Sequence, residues 1–389
     1  MKTLLRFLPR ITLAALLALS LVPAQAGIDL VGDDTDLFTV NPDIPVQVPN
    51  VLIILDNTSN WSAQSQNWPS TVDPVCSAAG ITGNQQGDAE VCAIYKVIGN
   101  QTEQVNVGLM MFNDQDKGAY VRFPIKAMNG TNRGAFQTAL TQISTNDSND
   151  KTASNSSYDN PMNDAFRYFN NFATMGGANA ASTQANATAY TSAAMTNFKL
   201  VANPNNICGN DYIIFIGNGF PNTVATSPAI DSAAALLNDP NVVVNKTVLQ
   251  NTGVNTDIWS RFLFQYGVKV SDGVYRSITT YTVDVCRDGC NANQATLLKS
   301  MATVSNGGYY RTTDLSQIEA ALKEVFQKVQ AVNNVFAATT LPVSINVRGT
   351  NLNQVYIGVF RPDGNQSPRW LGFDRVLKRL RVNGRRYGD

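Results

Sequence analysis

The sequence predicts an α/β fold, a doubly wound and mostly parallel sheet with polar insertions and a short β segment toward the C-terminus. Three observations lead there. Short, almost wholly apolar runs recur at Asn50–Asp56, Gln104–Phe112 and Asp211–Ile216, as expected of strands covered on both faces. Segments with helical spacing separate them. Two of the runs end in polar loops rich in Asp, Asn, Ser and Gly, as strands do where a doubly wound sheet presents its binding edge.

In chain order, residues 1–26 read as a secretory signal. Lys2, Arg6 and Arg10 form a basic start, Ile11 to Val22 an apolar run, and Pro23-Ala24-Gln25-Ala26 a cleavage site before Gly27. The apolar run is short for a bilayer span, which needs ~20 apolar residues. No later stretch is suited to one, so the mature chain is expected to be exported without a transmembrane segment. Residues 27–49 are a polar, proline-dotted lead-in, and residues 50–332 hold the main domain. After the Asn50–Asp56 strand come a polar stretch at 57–90, a short helix near Val91–Asn100 and the Gln104–Phe112 strand. Ala119–Ile125 alternates after turn residues and reads as a hairpin partner at a sheet edge.

Helical spacing returns at Thr131–Ile143 and at Asn160–Phe172, where Phe166, Phe169 and Phe172 form a core stripe. Residues 144–157 are loop, and 173–205 a surface insertion with at most a short helix. After the Asp211–Ile216 strand, 220–256 is a polar insertion and Trp259–Gly267 an amphipathic helix. Ser277–Val285 is a strand, Ala292–Ser305 a helix, Gly308–Arg311 a short strand, and Asp314–Val332 a long helix capped by Asp314. Residues 333–372 are β-rich and 373–389 basic.

Composition narrows the function. Hydrophobic residues make up 44% of the chain, enough for a sizeable core. The 29 basic and 29 acidic residues balance, but eight basic and three acidic residues crowd into 361–389. The main body is therefore acidic, and a nucleic-acid partner is not expected. Histidine is absent, which excludes a Ser-His-Asp triad, a Cys-His nucleophile and a His-ligated zinc. No carboxylate pair or nucleophile elbow stands out, so a non-enzyme is expected. An odd number of cysteines follows the signal. Cys76 with Cys92 is the first pairing expected, a loop closure worth ~3 kcal/mol. Cys286 and Cys290 share one loop and can pair locally, leaving Cys208; other connectivities remain open.

Three loops carry the candidate site. Asp56-Asn57-Thr58-Ser59-Asn60 follows the first strand, Gly217-Asn218-Gly219-Phe220-Pro221-Asn222 follows the Asp211–Ile216 strand, and Asn160-Pro161 opens a helix. Their oxygens could converge on one hard cation, Mg²⁺ or Ca²⁺. The alternative is that Asp56, Thr58 and Asn218 hydrogen-bond the loops to one another.

This layout resembles a von Willebrand factor A domain, whose metal-ion-dependent adhesion site uses Asp-x-Ser-x-Ser, a Thr and a second Asp. The resemblance places those roles on Asp56, Thr58, Asn60, Asn160 and Asn218. Of these only Asp56 keeps the family residue. One carboxylate in place of two implies weak or absent cation binding, because affinity follows ligand charge.

A narrower resemblance is to PilY-type proteins, tip-located assembly factors and adhesins of type IV pili. It is carried by Cys208–Asn222, Thr280–Asp284, Ala295–Ala302, Gly307–Tyr310 and Ala320–Gln330, then by Leu341-Pro-Val-Ser, Gly349–Asp363 and Pro368–Gly372. The last stretches are similar to the segment that joins the family's A-type domain to its β-propeller. After Gly372 the sequence departs from the family, which suggests a truncated or shifted reading frame, or else a tail adapted to an anionic partner. The resemblance implies a periplasmic, cell-surface or pilus-associated protein acting in pilus assembly, twitching and adhesion. Its implied partners are minor pilins, the pilus machinery, or a host or abiotic surface. A structural envelope or matrix scaffold, or a non-functional truncated copy, is the alternative.

Overall fold

A computed structural model describes residues 48–62, 68, 73–113, 117–152, 157–176, 182–200, 210–221, 230–250, 252–254, 256–333, 336–338, 357–361 and 371–375. The expected signal, residues 27–47 of the 27–49 lead-in, Cys208, Asn222 and most of 339–389 lie outside them.

The central sheet has six strands in the order β3-β2-β1-β4-β7-β8. They are β1 (Asn50–Leu55), β2 (Asn106–Phe112), β3 (Ala119–Ala127), β4 (Asp211–Gly217), β7 (Ile278–Val285) and β8 (Tyr309–Thr312). All neighbours are parallel except β3, which returns antiparallel to β2 at one edge. The doubly wound α/β fold expected from the sequence is thus present. Between β4 and β7 a small hairpin, β5 (Val268–Ser271) and β6 (Val274–Arg276), makes a sheet of its own. It falls where no strand is expected from apolar runs. Its signal is the Asp272-Gly273 turn, with Gly273 at φ +73°.

Every β1 residue is buried, and alternate side chains enter two separate cores. Val51, Ile53 and Leu55 face helices α2 (Gln86–Gly99), α3 (Gly130–Thr141) and α8 (Leu315–Asn333). Leu52 and Ile54 face α4 (Asp159–Phe169), α6 (Thr256–Tyr266) and α7 (Ala292–Val304). Burial on both faces removes the polar alternation and leaves the continuous apolar runs seen in the sequence. Phe166 and Phe169 fill the second core and Phe172 packs against it. Two short helices complete the set, α1 (Pro74–Ala78) and α5 (Ile230–Ala235).

The amino edge of the sheet is fastened by polar groups. Asn106 Nδ2 donates to Asn50 Oδ1 at 2.9 Å, and Asn50 Nδ2 to Asp211 Oδ1 at 2.8 Å. Arg276 closes the row with a buried ion pair to Asp211. These bonds hold β2, β1 and β4 in register, which fixes where their carboxyl ends stop.

Helix α2 differs from the expected Val91–Asn100, beginning five residues earlier. Gln85 and Asp88 form a reciprocal capping box there, with Asp88 Oδ2 accepting the Gln85 N–H at 3.1 Å. Glutamine in place of Ser or Thr at the cap hides this start from the sequence. Helix α6 similarly begins at Thr256, and α5 lies inside the insertion expected at 220–256.

Disulfides join Cys76 to Cys92 and Cys286 to Cys290. The first pins α1 onto α2; the second closes the loop after β7. Toward the C-terminus, β9 (Phe336–Ala338), β10 (Ile357–Arg361) and β11 (Leu371–Arg375) form an antiparallel three-stranded sheet. Among the described residues no helix is long and apolar enough to cross a membrane.

Candidate functional site

The chain winds from β1 out to β3 on one side, then crosses back to place β4 on β1's other side. Strand order therefore reverses between β1 and β4, and the crevice outside their carboxyl ends is where such sheets bind ligands. The register pairs Leu55 with Ile216, so Asp56 and Asn218 emerge at nearly the same level.

The structure brings Asp56, Thr58 and Asn218 together. Asn218 N–H donates to Asp56 Oδ2 at 3.2 Å, and its side-chain amide donates to the Asp56 carbonyl. Thr58 Oγ1 donates to Asn218 Oδ1 at 3.2 Å, while Thr58 N–H donates to Asp56 Oδ1 at 3.1 Å. Asn60 lies in a 3-10 turn, Ser59–Ser62. Asn160 sits in the first turn of α4, buried, with Oδ1 lacking a hydrogen-bond partner.

The group from the α4 side that meets Asp56 is Tyr158. Its hydroxyl lies 3.0 Å from Asp56 Oδ2 and within hydrogen-bond reach of the Gly219 carbonyl. Gly217 makes room for that ring, since a Cβ there would stand 2.9 Å from the Tyr158 oxygen. One hydroxyl proton cannot serve two acceptors at once. Both contacts are satisfied together when Asp56 is protonated and donates to Tyr158. Burial pushes the Asp56 carboxyl up in that direction, against hydrogen bonds from Thr58, Asn218 and Tyr158 that pull it down.

Beneath lies a second buried acid, Glu90 of α2. Burial pushes it well above the usual carboxylate range, and the nearby Asp56 charge adds to the rise. Gln86 Nε2 donates to Glu90 Oε1 at 3.0 Å and to the Val285 carbonyl at 3.0 Å. Trp61, wholly buried, interacts with Glu90 without a well-formed hydrogen bond, so Glu90 Oε2, Gln86 Oε1 and Trp61 Nε1 are buried without partners. Gly87 allows this packing, because a Cβ there would fall 2.5 Å from the Trp61 ring. On the far side, Asp284 accepts from Gln294 Nε2 at 2.7 Å and from the Tyr309 hydroxyl at 2.6 Å.

A hard divalent cation suits this donor set poorly. Such ions are held by ionised carboxylates and free oxygen lone pairs. Here the only acidic side chain among Asp56, Thr58, Asn160 and Asn218 has its pKa raised by burial, and Asn218 spends both ends of its amide on the loop after β1. Among Asp56, Thr58, Asn160 and Asn218, the orphaned acceptor is Asn160 Oδ1. What the arrangement does is lock three loops to one another.

Tyr158, Gln86 and Glu90 were not legible as site residues. Glu90 falls ahead of the expected helix start, and Tyr158 lies in a Ser, Asn and Asp-rich loop where one aromatic carries no periodic signal.

No protein-family model matches this chain, and no curated relative does. Among solved structures it is similar to a conserved hypothetical protein, BatB, from Bacteroides thetaiotaomicron, at 13% identity over 72% of this chain and 98% of that one, TM-score 0.37. It is similar to a von Willebrand factor type A protein from Catenulispora acidiphila, at 9% identity over 75% and 44% of the two chains, TM-score 0.37. It is also similar to the PilB minor pilin from Streptococcus sanguinis, at 11% identity over 74% and 62%, TM-score 0.36. The chain thus spans less than two thirds of the last two structures. These likenesses concern the path of the chain, a mixed α/β domain with a mostly parallel central sheet.

Proposed function

We propose that this protein is a non-catalytic binding module, exported and associated with type IV pili in the manner of PilY-type proteins. It engages minor pilins or a surface through the loops at the carboxyl edge of its sheet, around Asp56, Asn160 and Asn218, with little or no help from Mg²⁺ or Ca²⁺. The observation that carries this reading is the bonding of Asp56 to both Asn218 and Tyr158. Three loops at the switch point are joined by the protein's own groups, so a binding face is preformed and little ordering is left for a partner to induce. The sequence likeness of Gly349–Gly372 to the PilY-type junction supports the pilus assignment.

The test is a pull-down of purified minor pilins on the wild-type chain, paired with deletion of the gene. Capture that persists in EDTA, with loss of piliation, twitching or attachment on deletion, is expected. Normal piliation and attachment together with no capture would overturn it. In that event the mutual satisfaction of these loop groups favours a scaffold with no ligand face.

A further inference from the structure

A cleft of about 250 Å³ opens between the turn at Gly80–Gln85, which leads into α2, and the chain at Thr141–Asn146, where α3 ends. Its polar wall is built from Asn84, Gln85, Asp88, Thr145 and Asn146. Thr145 Oγ1 lies 2.6 Å from Gln85 Oε1 and 2.9 Å from Asp88 Oδ1, donating its one proton to either. Gln85 Nε2 donates to Asn146 Oδ1 at 2.8 Å, tying one wall to the other. Gly83 presses so closely on Asp88 that a Cβ there would lie 1.8 Å from Oδ2. Only glycine lets the backbone wrap this carboxyl, so the cleft is shaped by its sequence.

The cleft lies on the same edge as Asp56. The 142–152 loop that walls it also binds the Asp56 loop, since Asn57 Nδ2 donates to the Asp150 carbonyl at 2.5 Å and Thr152 N–H to the Asn57 carbonyl at 3.0 Å. Gln85 faces the cleft while Gln86, the next residue, reaches into the base of the Asp56 site.

The lining selects a ligand class. No Lys or Arg contributes to it, and the one carboxylate disfavours anions. A lone carboxylate already accepting an N–H and a hydroxyl also makes a poor divalent-cation site. The exposed amides of Asn84 and Asn146 and the hydroxyls of Thr82 and Ser144 both donate and accept. Ile143, half-buried, adds a narrow apolar edge backed by the buried Ile81 and Val91. The volume falls below the ~300–1,000 Å³ of sites for drug-sized ligands. A small neutral ring with a polar rim and an apolar face meets all of these conditions.

We propose that this cleft is a binding site for one neutral sugar unit, a hexose or N-acetylhexosamine of a surface glycan. The site does not depend on the pilus assignment. The test is saturation-transfer NMR on the full mature chain with free glucose, galactose, mannose, N-acetylglucosamine and N-acetylgalactosamine, and with sialic acid as the anionic counter-probe. Transfer to at least one neutral sugar and none to sialic acid is expected. Asn84→Trp, at an exposed wall position, should reduce that transfer to background, while Thr303→Ala, exposed on α7 against the opposite face of the sheet, should leave it unchanged. Absence of transfer to every neutral sugar, preference for sialic acid, or full transfer in folded Asn84→Trp would each overturn the proposal. The circular dichroism spectrum and melting temperature of Asn84→Trp, compared with wild type, establish that its fold is intact.

Discussion

The Tyr158 hydroxyl stands 3.0 Å from Asp56 Oδ2 and also meets the Gly219 carbonyl, so one phenol ties the loop after β1 to the loop after β4. Neighbouring Asn218 reinforces this link through both its backbone and its side chain.

Tyr158→Phe keeps the ring and deletes the link. The Gly219 carbonyl and the Asp56 carboxyl each lose a buried hydrogen-bond partner, which should cost about 1–3 kcal/mol. Urea unfolding would register this as a lower midpoint with an unchanged slope. Adding Mg²⁺ should not restore the loss.

Cation binding should be recoverable by sequence. Wild type is expected to show no rise in melting temperature in millimolar Mg²⁺ or Ca²⁺. Asn218→Asp combined with Asn160→Thr restores a second carboxylate and a hydroxyl, and should introduce a concentration-dependent rise. A clear rise in wild type would show that the existing oxygens hold the ion after all.

The buried acids predict an unusual pH response. Glu90 has its folded-state pKa raised by burial, so the folded state binds its proton more tightly than the unfolded chain does. That contribution is fully present below the ordinary glutamate value of 4.5 and is lost as pH rises through the folded value. Asp164, pushed up to about 7 by burial, acts in the same sense between its ordinary 3.8 and about 7. Stability should therefore rise on mild acidification from neutral pH. Glu90→Gln should weaken this dependence and raise the melting temperature at pH 7 by ~2–4 °C, the shift that ~1 kcal/mol gives in a domain of this size. Thermal scans from pH 5 to 8 on both proteins would decide it.

Replacing Cys76 and Cys92 together with serine should destabilise the chain by about 2–4 kcal/mol, since their bridge closes a loop of separation 16. The Cys286–Cys290 bridge spans a separation of only 4 and should matter less. Denaturant melts of the two double variants, read against wild type, give the order directly.

Much of the fold was legible because two-sided burial writes itself as uninterrupted apolar runs. Asn50–Leu55, Asn106–Phe112 and Asp211–Gly217 stand out for that reason, and their polar ends mark the carboxyl edge. The start of α2 was not legible, because its cap is a Gln85–Asp88 pair that resembles loop sequence. The sequence by itself determined a doubly wound sheet with Asp56 and Asn218 at its edge, since periodicity is local and each strand carries it alone. Only the tertiary structure decided what those residues do. Tyr158 lies 102 positions from Asp56, and Gln86 lies 132 from Asn218. Whether a carboxyl is free for a cation or engaged by a phenol depends on which distant groups are buried against it, and no pattern along the chain records that.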